Sequence, residues 1–163
     1  MQDFQTESNS SQETFDLGVK ISKKLSIAPH TGHIIALNGD LGSGKTCLTK
    51  GIAHGLGVTE TVTSPTYTIV NEYLYSGNRE QGTTGNREHV AGSRFLYHID
   101  TYRLDGERDF EDIGGVEILS SDNICIIEWS DKIINLLPDD TITINIEITG
   151  PETRKITIKG INL

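Results

Sequence analysis

The chain has 163 residues, 23 of them Asp or Glu and 14 Lys or Arg, which gives a formal net charge of −9. This length fits a single domain over residues 1–163, and the acidic balance with scattered basic residues argues against direct, tight binding to nucleic acid, which depends on Lys and Arg contacts to phosphates. The N-terminus lacks a basic stretch and an apolar core, and no apolar run approaches the ~18–20 residues of a membrane span, so we expect a cytoplasmic protein with no membrane contact.

The first part of the chain alternates signals for helices and strands. Ser10 followed by Glu13 forms a capping-box pattern, and apolar residues follow at helical spacing, which predicts a helix. The apolar run 33–38 predicts a buried strand that ends in a glycine-rich turn. A second amphipathic pattern predicts a helix that begins near Gly44 and ends at 55–57.

The middle of the chain contains three more predicted strands and one long loop. Residues 66–73 are rich in β-branched and aromatic side chains and predict a strand, as do the apolar runs 95–100 and 123–128. The stretch 76–93 is polar and rich in glycine, which predicts a mobile surface loop. Ser130 is predicted to cap a short helix.

The C-terminal residues alternate regularly between apolar and polar side chains. Isoleucine occupies every second position over 142–148 and again at 156 and 158, after a turn signal at 150–151. A period of two predicts strands with one buried face, and the turn joins them into an antiparallel hairpin. Together with the interleaved strands and helices upstream, this predicts an α/β fold of three layers with a mixed, mainly parallel central sheet.

Residues 39–46 fit G-x-x-x-x-G-K-[ST], the P-loop pattern of proteins that bind nucleotide phosphates. Its glycines let backbone N–H groups approach phosphate oxygens, and the helix that begins at Gly44 directs its free N–H groups to the same anion. Lys45 supplies a full charge, and the Thr46 hydroxyl can ligate Mg²⁺. A plain turn is the alternative, but the position between a strand and a helix favours a P-loop NTPase-like fold. The candidate nucleotide-binding residues are Gly39, Leu41, Gly42, Ser43, Gly44, Lys45, Thr46 and Cys47.

A P-loop nucleotidase also needs a carboxylate at the end of a neighbouring strand, to hold Mg²⁺ or its water. Asp100 and Glu128 each end an apolar strand. Because the carboxyl ends of parallel strands share one edge of a sheet, both acids are expected beside the P-loop. Either acid alone could be a loop residue, but the two together favour a catalytic site.

Other residues near these acids leave two interpretations open. His98 is better explained as a hydrogen-bonded core residue than as a base. Trp129, the only tryptophan, fits core packing or the site equally well. Ser64, Pro65 and Thr66 could sense a γ-phosphate or merely shape a turn, and their spacing alone favours the turn.

Four motifs, in their order along the chain, resemble those of the TsaE family, also known as YjeE. They are the P-loop at 39–46, Ser-Pro-Thr-Tyr-Thr at 64–68, His-Ile-Asp-Thr-Tyr-Arg-Leu at 98–104 and Glu-Trp at 128–129. The stretch 13–18 is also similar to the family's N-terminal segment, so the resemblance covers nearly the whole chain. It implies a small bacterial ATPase of tRNA threonylcarbamoyladenosine synthesis that binds ATP and Mg²⁺ and hydrolyses ATP weakly by itself.

The resemblance also implies partners and residue roles. TsaE proteins act with TsaB and TsaD, which make and transfer the threonylcarbamoyl group, so TsaB-like and TsaD-like partners are implied. ATP hydrolysis would drive or reset that complex, and tRNA would be contacted only indirectly through it. The implied roles are phosphate binding and catalysis for Lys45, hydrolysis for Asp100, Mg²⁺ binding for Thr46 and Glu128, adenosine contact for Glu13 and Thr14, and switch segments for Ser64, Pro65, Thr66 and Trp129.

Two other functions are compatible with the motifs. A small-molecule kinase would need an arginine-bearing lid, for which Arg79, Arg87 and Arg94 are candidates. A nucleotide-gated binding module would bind nucleotide with little hydrolysis. A GTPase is less favoured because no N-K-x-D motif is present. Arg103 is the nearest candidate for an arginine finger, and a partner could supply one instead.

Overall fold

A computed structural model describes residues 3–26, 32–75 and 94–163. The strands are β1 (Phe4–Ser8), β2 (His33–Asn38), β3 (Val70–Tyr75), β4 (Arg94–Asp100), β5 (Ile124–Glu128), β6 (Ile142–Ile148) and β7 (Arg154–Lys159). The helices are α1 (Ser11–Leu25), α2 (Lys45–Leu56), α3 (Glu107–Asp112) and α4 (Gly115–Leu119), and a 3₁₀ helix spans Ser130–Leu136. The predicted loop at 76–93 lies outside the described residues.

The strands of the described residues form one seven-stranded sheet in the order β1-β7-β6-β2-β5-β4-β3. The central strands β6, β2, β5 and β4 are parallel to one another. The pairings towards both edges, β1 with β7, β7 with β6 and β4 with β3, are antiparallel. The predicted mixed sheet and its C-terminal hairpin are therefore confirmed.

Helices cover both faces of this sheet, which confirms the predicted three layers. On one face, Ile21 of α1 and Ile52 of α2 are fully buried in a cluster with Ile126 of β5. On the other face, Phe110 of α3 packs in a second cluster with Ile127. Because successive strand residues point to opposite faces, Ile126 and Ile127 place the two clusters on either side of β5. Within the described residues, no helix is both long and apolar enough to cross a membrane.

Helix α1 begins as the sequence predicts, with Ser10 as its N-cap. The Ser10 hydroxyl accepts a hydrogen bond from the Glu13 N–H at 3.1 Å. The Glu13 carboxylate accepts from the Asn9 N–H at 2.7 Å, one residue before the position expected for a capping box. In the next position Thr14 is buried and hydrogen-bonded to Ser8 at 2.8 Å, which ties β1 to the start of α1.

The strand predicted over 66–73 begins too early, because β3 starts only at Val70. Before it the chain forms a turn in which the Ile69 N–H donates to the Pro65 carbonyl at 2.8 Å. Ile69 has a φ of +67°, a left-handed conformation that is rare for a β-branched residue. Pro65 and Thr66 therefore lie in a turn, and the switch role of Ser64, Pro65 and Thr66 stays a prediction.

The predicted capping role of Ser130 is also wrong. The 3₁₀ helix starts at Ser130 itself, and Trp129 occupies its N-cap position with a φ of +58°. The Ser130 hydroxyl instead donates to Asn38 Oδ1 at 3.1 Å, which connects this helix to the end of β2. The helix is therefore fixed to the sheet by a tertiary hydrogen bond that a local capping pattern does not reveal.

Candidate functional site

The P-loop and the two strand-end acids meet at one edge of the parallel strands. Strand β2 leads into the P-loop, and α2 begins directly after it with Gly44 as N-cap. Asp100 and Glu128 end β4 and β5, and they face each other in the register of these strands. A cleft of about 440 Å³ opens at this edge. The predicted site residues that line it are Leu41, Gly42, Gly44, Lys45, Thr46, Cys47, Ser64, Thr66, Asp100, Glu128 and Trp129.

Five predicted site residues do not line the cleft. Gly39 and Ser43 belong to the same loop, and Ser43 is fully buried with no hydrogen-bond partner for its hydroxyl. Pro65 lies buried between Ser64 and Thr66. Glu13 and Thr14 lie in the first turn of α1, beside the start of α2, and their contact with adenosine stays a prediction.

Backbone geometry leaves the N-terminus of α2 open towards the cleft. Gly44 has a φ of +108° and provides no side chain to cap the first N–H groups of the helix. Gly39 has a φ of +151°, and a Cβ atom there would lie 2.6 Å from the Ile146 carbonyl oxygen. Both glycines are therefore required by the path of the loop. Uncapped N–H groups and the helix dipole together favour an anion at this position.

Lys45 is buried, and its ammonium group folds back onto its own loop. It donates hydrogen bonds to the carbonyl oxygens of Gly39 at 2.7 Å and Asp40 at 3.1 Å. The nitrogen also lies 3.9 Å from Glu128 Oε2 and 5.0 Å from the centroid of the Trp129 ring. A ring face and a carboxylate both attract a cation. Lys45 is thus held at the wall of the cleft by partners that an anionic ligand could replace.

Glu128 is buried, and its two carboxylate oxygens have different environments. Oε1 lies 2.8 Å from His98 Nε2, and Oε2 is the oxygen that approaches Lys45. A carboxylate can only accept, so Nε2 carries the hydrogen and donates it. His98 is fully buried, which fits its interpretation as a core residue, and its Nδ1 has no hydrogen-bond partner. His98 therefore fixes one oxygen of Glu128 and leaves the other towards the cleft.

Asp100 is connected to the segment predicted to act as a switch. Its Oδ2 accepts a hydrogen bond from the Thr66 hydroxyl at 3.1 Å, and Thr66 is in turn hydrogen-bonded to Ser64 at 2.8 Å. Its Oδ1 accepts from the Tyr102 N–H at 2.9 Å. A movement of either hydroxyl residue would therefore change the surroundings of the buried acid.

Cys47 lines the cleft beside the loop, where it is half-buried. Burial raises the pKa of its thiol above the ordinary value, and the nearby charge of Lys50 opposes this effect. The thiol also donates to the Ser11 carbonyl at 3.1 Å. Since only the thiolate is a good nucleophile, this residue is suited to packing rather than to covalent chemistry.

The donor groups in the cleft fit a magnesium ion that is bound together with a nucleotide. Among the described residues, no group of three or more His, Cys, Asp or Glu side chains is placed to hold a metal ion. Thr46 and Glu128 contribute one hydroxyl and one carboxylate to the lining. Mg²⁺ usually takes one or two such protein ligands and completes its shell with water and phosphate oxygens.

Sequence reasoning assigned no role to two residues that the structure brings to this site. Tyr102 lines the cleft, and its ring centroid lies 5.2 Å from that of Trp129. The sequence signal that points to Tyr102 is its position two residues after Asp100, in the motif at 98–104. Arg154 contacts the P-loop through hydrogen bonds to the carbonyl oxygens of Ser43 and Gly42. No sequence pattern joins residues so far apart along the chain.

Comparisons with known proteins agree on one family. The protein-family model described as "Threonylcarbamoyl adenosine biosynthesis protein TsaE" matches residues 8–156. The TsaE protein of Treponema pallidum is 35% identical, over 93% of this chain and 96% of its own length. That of Bacillus subtilis is 36% identical, over 86% of this chain and 78% of its own length. The crystal structure of Bacillus subtilis YdiB aligns with a TM-score of 0.65 and 30% identity, covering 96% of this chain and 84% of YdiB.

Proposed function

The chain belongs to the TsaE family, as its motifs predicted, and from this premise we propose that it is an ATPase subunit of a complex that makes threonylcarbamoyladenosine in tRNA. It would bind Mg²⁺ and ATP and hydrolyse ATP to drive or reset the complex. One observation carries the proposal: Lys45, Thr46, Asp100 and Glu128 line a single cleft at the uncapped N-terminus of α2.

Each of these residues has a physical role in this proposal. The phosphates of ATP would lie at the start of α2, and Lys45 would exchange its loop carbonyls for phosphate oxygens. Thr46 and Glu128 would hold Mg²⁺, which supplies charge neutralisation on the phosphates. Asp100 would orient the attacking water. Phosphoryl transfer depends mainly on such positioning and electrostatic stabilisation.

Partner proteins would complete the site. The Arg103 guanidinium lies over the ring of Tyr67, 4.5 Å from its centroid, and Arg103 does not line the cleft. Without an arginine at the phosphates, turnover by the isolated chain would be slow. TsaB-like and TsaD-like proteins would therefore stimulate the reaction, and they would contact tRNA. The net charge of −9 supports an indirect role towards tRNA, which we place in the cytoplasm.

ATPase measurements with the reconstituted complex test the proposal. Lys45→Ala and Asp100→Ala are each expected to lower partner-dependent ATP hydrolysis at least about tenfold, because they remove charge stabilisation and water positioning. Lys50→Ala is the matched control, since it removes a lysine from the exposed face of the same helix. Wild-type rates in both site variants would refute the ATPase assignment.

The kinase alternative receives no support from the described residues. Arg94 is the first residue of β4, whereas Asp100 is the last, so the two lie at opposite ends of the strand. Arg79 and Arg87 fall outside the described residues. Release of free phosphate without a phosphorylated acceptor in the same assay would separate an ATPase from a kinase.

A further inference from the structure

Arg154 joins the P-loop to the turn of the C-terminal hairpin. Its Nε donates to the Ser43 carbonyl oxygen at 2.9 Å, and its Nη2 donates to that of Gly42 at 3.2 Å. On the other side of the guanidinium, Nη1 donates to the carbonyl oxygens of Gly150 at 3.0 Å and Thr153 at 2.9 Å. One side chain at the start of β7 therefore connects a loop and a turn that are distant in sequence.

The bond to Ser43 determines which way the peptide group between Ser43 and Gly44 faces. In a planar trans peptide the C=O and the following N–H point in opposite directions. Arg154 holds the Ser43 carbonyl, so the N–H of Gly44 points away from Arg154. Gly44 lines the cleft. The arginine thus keeps that peptide in the orientation that turns its donor towards a bound anion.

Arg154 adds an external restraint to hydrogen bonds within the loop, which run from the Ser43 N–H and the Lys45 ammonium to the carbonyl of Asp40. Gly42 and Gly44 have φ values of +77° and +108°, and glycine can leave these conformations at low cost. A planar guanidinium offers donors in a fixed geometry, so it restrains two adjacent carbonyls at once. The five carbonyl partners, which include that of Pro151 at 3.5 Å, are uncharged, so the positive charge behind the loop is not neutralised by these contacts.

We propose that Arg154 is a positioning residue for nucleotide binding, acting through the Ser43 carbonyl on the Gly44 amide, since the Ser43 N–H already donates to the Asp40 carbonyl at 3.1 Å. This inference rests on the proposed binding of ATP. It assigns a role in the site to the C-terminal hairpin, which contributes no residue to the lining of the cleft.

Calorimetric titration of the intact chain with ATP and Mg²⁺ tests this role. Arg154→Met is expected to weaken ATP binding about tenfold, the size of effect that is typical for removing a residue that orients binding groups. Arg154→Lys keeps the charge but loses the fixed fork of donors, so it should recover only part of the affinity. Lys155→Met is the matched control, because it removes a charge from the next position of β7 and Lys155 makes no hydrogen bond to the P-loop.

The outcomes separate the two proposals. If the wild-type chain does not bind ATP, the proposed function fails and this inference fails with it. If the wild-type chain binds ATP and Arg154→Met binds within about twofold of it, only the positioning role is overturned. Equal losses in Arg154→Met and Lys155→Met would overturn it too, because they would indicate a general charge effect.

Folding of the variants is controlled in the same samples. Thermal melts of the chain without nucleotide establish that each variant is folded at the titration temperature. A lowered melting temperature with unchanged affinity would assign Arg154 to stability alone and overturn the proposal. If Arg154→Met does not fold, Arg154→Lys decides: weaker ATP binding than wild type supports the positioning role, and equal binding overturns it.

Discussion

Lys45 already has hydrogen-bond partners before any ligand is considered. Its ammonium contacts two loop carbonyls, Glu128 and the ring of Trp129. A phosphate would have to replace these contacts, so the free energy of nucleotide binding is the difference between two well-satisfied states. The affinity of the isolated chain for nucleotide is therefore lowered by the contacts that Lys45 makes without ligand.

The His98–Glu128 hydrogen bond should contribute to stability. His98→Leu removes the donor and leaves one oxygen of a buried carboxylate without its partner, which is expected to lower the free energy of unfolding by about 1–3 kcal/mol. Urea denaturation measures this change. His98→Gln is the control, because its amide N–H can still donate at a similar reach. Equal stability of the wild type and His98→Leu would show that the bond contributes nothing.

The two cysteines should differ from a free thiol in their reaction with iodoacetamide. Burial raises the pKa of the Cys47 thiol, and it raises that of Cys125 to about 12. Since the thiolate is the reactive form, a raised pKa lowers the reactive fraction at every pH below it. Alkylation of Cys47 should therefore increase with pH and lag behind that of a model thiol at each pH. Peptide mass spectrometry follows both sites, and rapid alkylation of Cys125 in the folded chain would contradict this account.

The helices α1 and α2 approach each other closely through glycine. A Cβ atom at Gly51 would lie 2.0 Å from the Phe15 carbonyl oxygen, and one at Gly18 would lie 2.4 Å from that of Leu48. Both contacts would be with backbone atoms, so rotating a side chain cannot relieve them. This close pair supports the first turn of α2, where the P-loop ends.

Gly51→Ala is therefore expected to lower the free energy of unfolding by about 2 kcal/mol or more, since the helices must move apart. Urea denaturation provides the measurement. Lys50→Ala, at the neighbouring exposed position, should change stability by less than about 0.5 kcal/mol. A Gly51→Ala variant with the same free energy of unfolding as the wild type would show that the two helices can separate without cost.

Elements with a clear hydrophobic period could be predicted from the sequence, and elements that depend on distant contacts could not. The hairpin of β6 and β7 follows from its alternating isoleucines. In contrast, β1 has a mostly polar sequence and forms by pairing with β7. The helices α3 and α4 are too short to show a period. No propensity predicts the left-handed conformations of Ile69 and Trp129, which tertiary structure imposes.

The same distinction applies to the site. The P-loop could be recognised because its residues are contiguous and their spacing has a physical meaning. Asp100 and Glu128 could be placed beside it because both end buried strands. Arg154 reaches the loop only through the assembled sheet, and nothing near it in sequence indicates that contact. The P-loop residues and the strand-end acids were therefore predictable, whereas the distant side chain that supports the loop was not.

At the scale of the whole molecule, charge is distributed unevenly. Seven of the 23 acidic residues lie within 105–122, around α3 and α4, where Arg108 is the only Lys or Arg. This segment follows Asp100 and packs beside the 3₁₀ helix. It gives that part of the molecule a strongly negative character, which repels phosphate backbones.

The chain alone is therefore expected to bind tRNA with a dissociation constant above roughly 100 μM at physiological salt. Fluorescence anisotropy with labelled tRNA measures this, and the same titration with the partner proteins present is the control. Micromolar binding by the chain alone, weakening as salt is added, would contradict the indirect role towards tRNA.

The position of Trp129 has a practical consequence. It is the only indole in the chain, and its ring lies 5.0 Å from the Lys45 ammonium. Ultraviolet emission from this protein therefore originates chiefly beside the P-loop, with no dye attached. Any ligand that draws the ammonium away from the ring alters the brightness or colour of that emission, so occupancy of the cleft can be read in real time from the unlabelled chain.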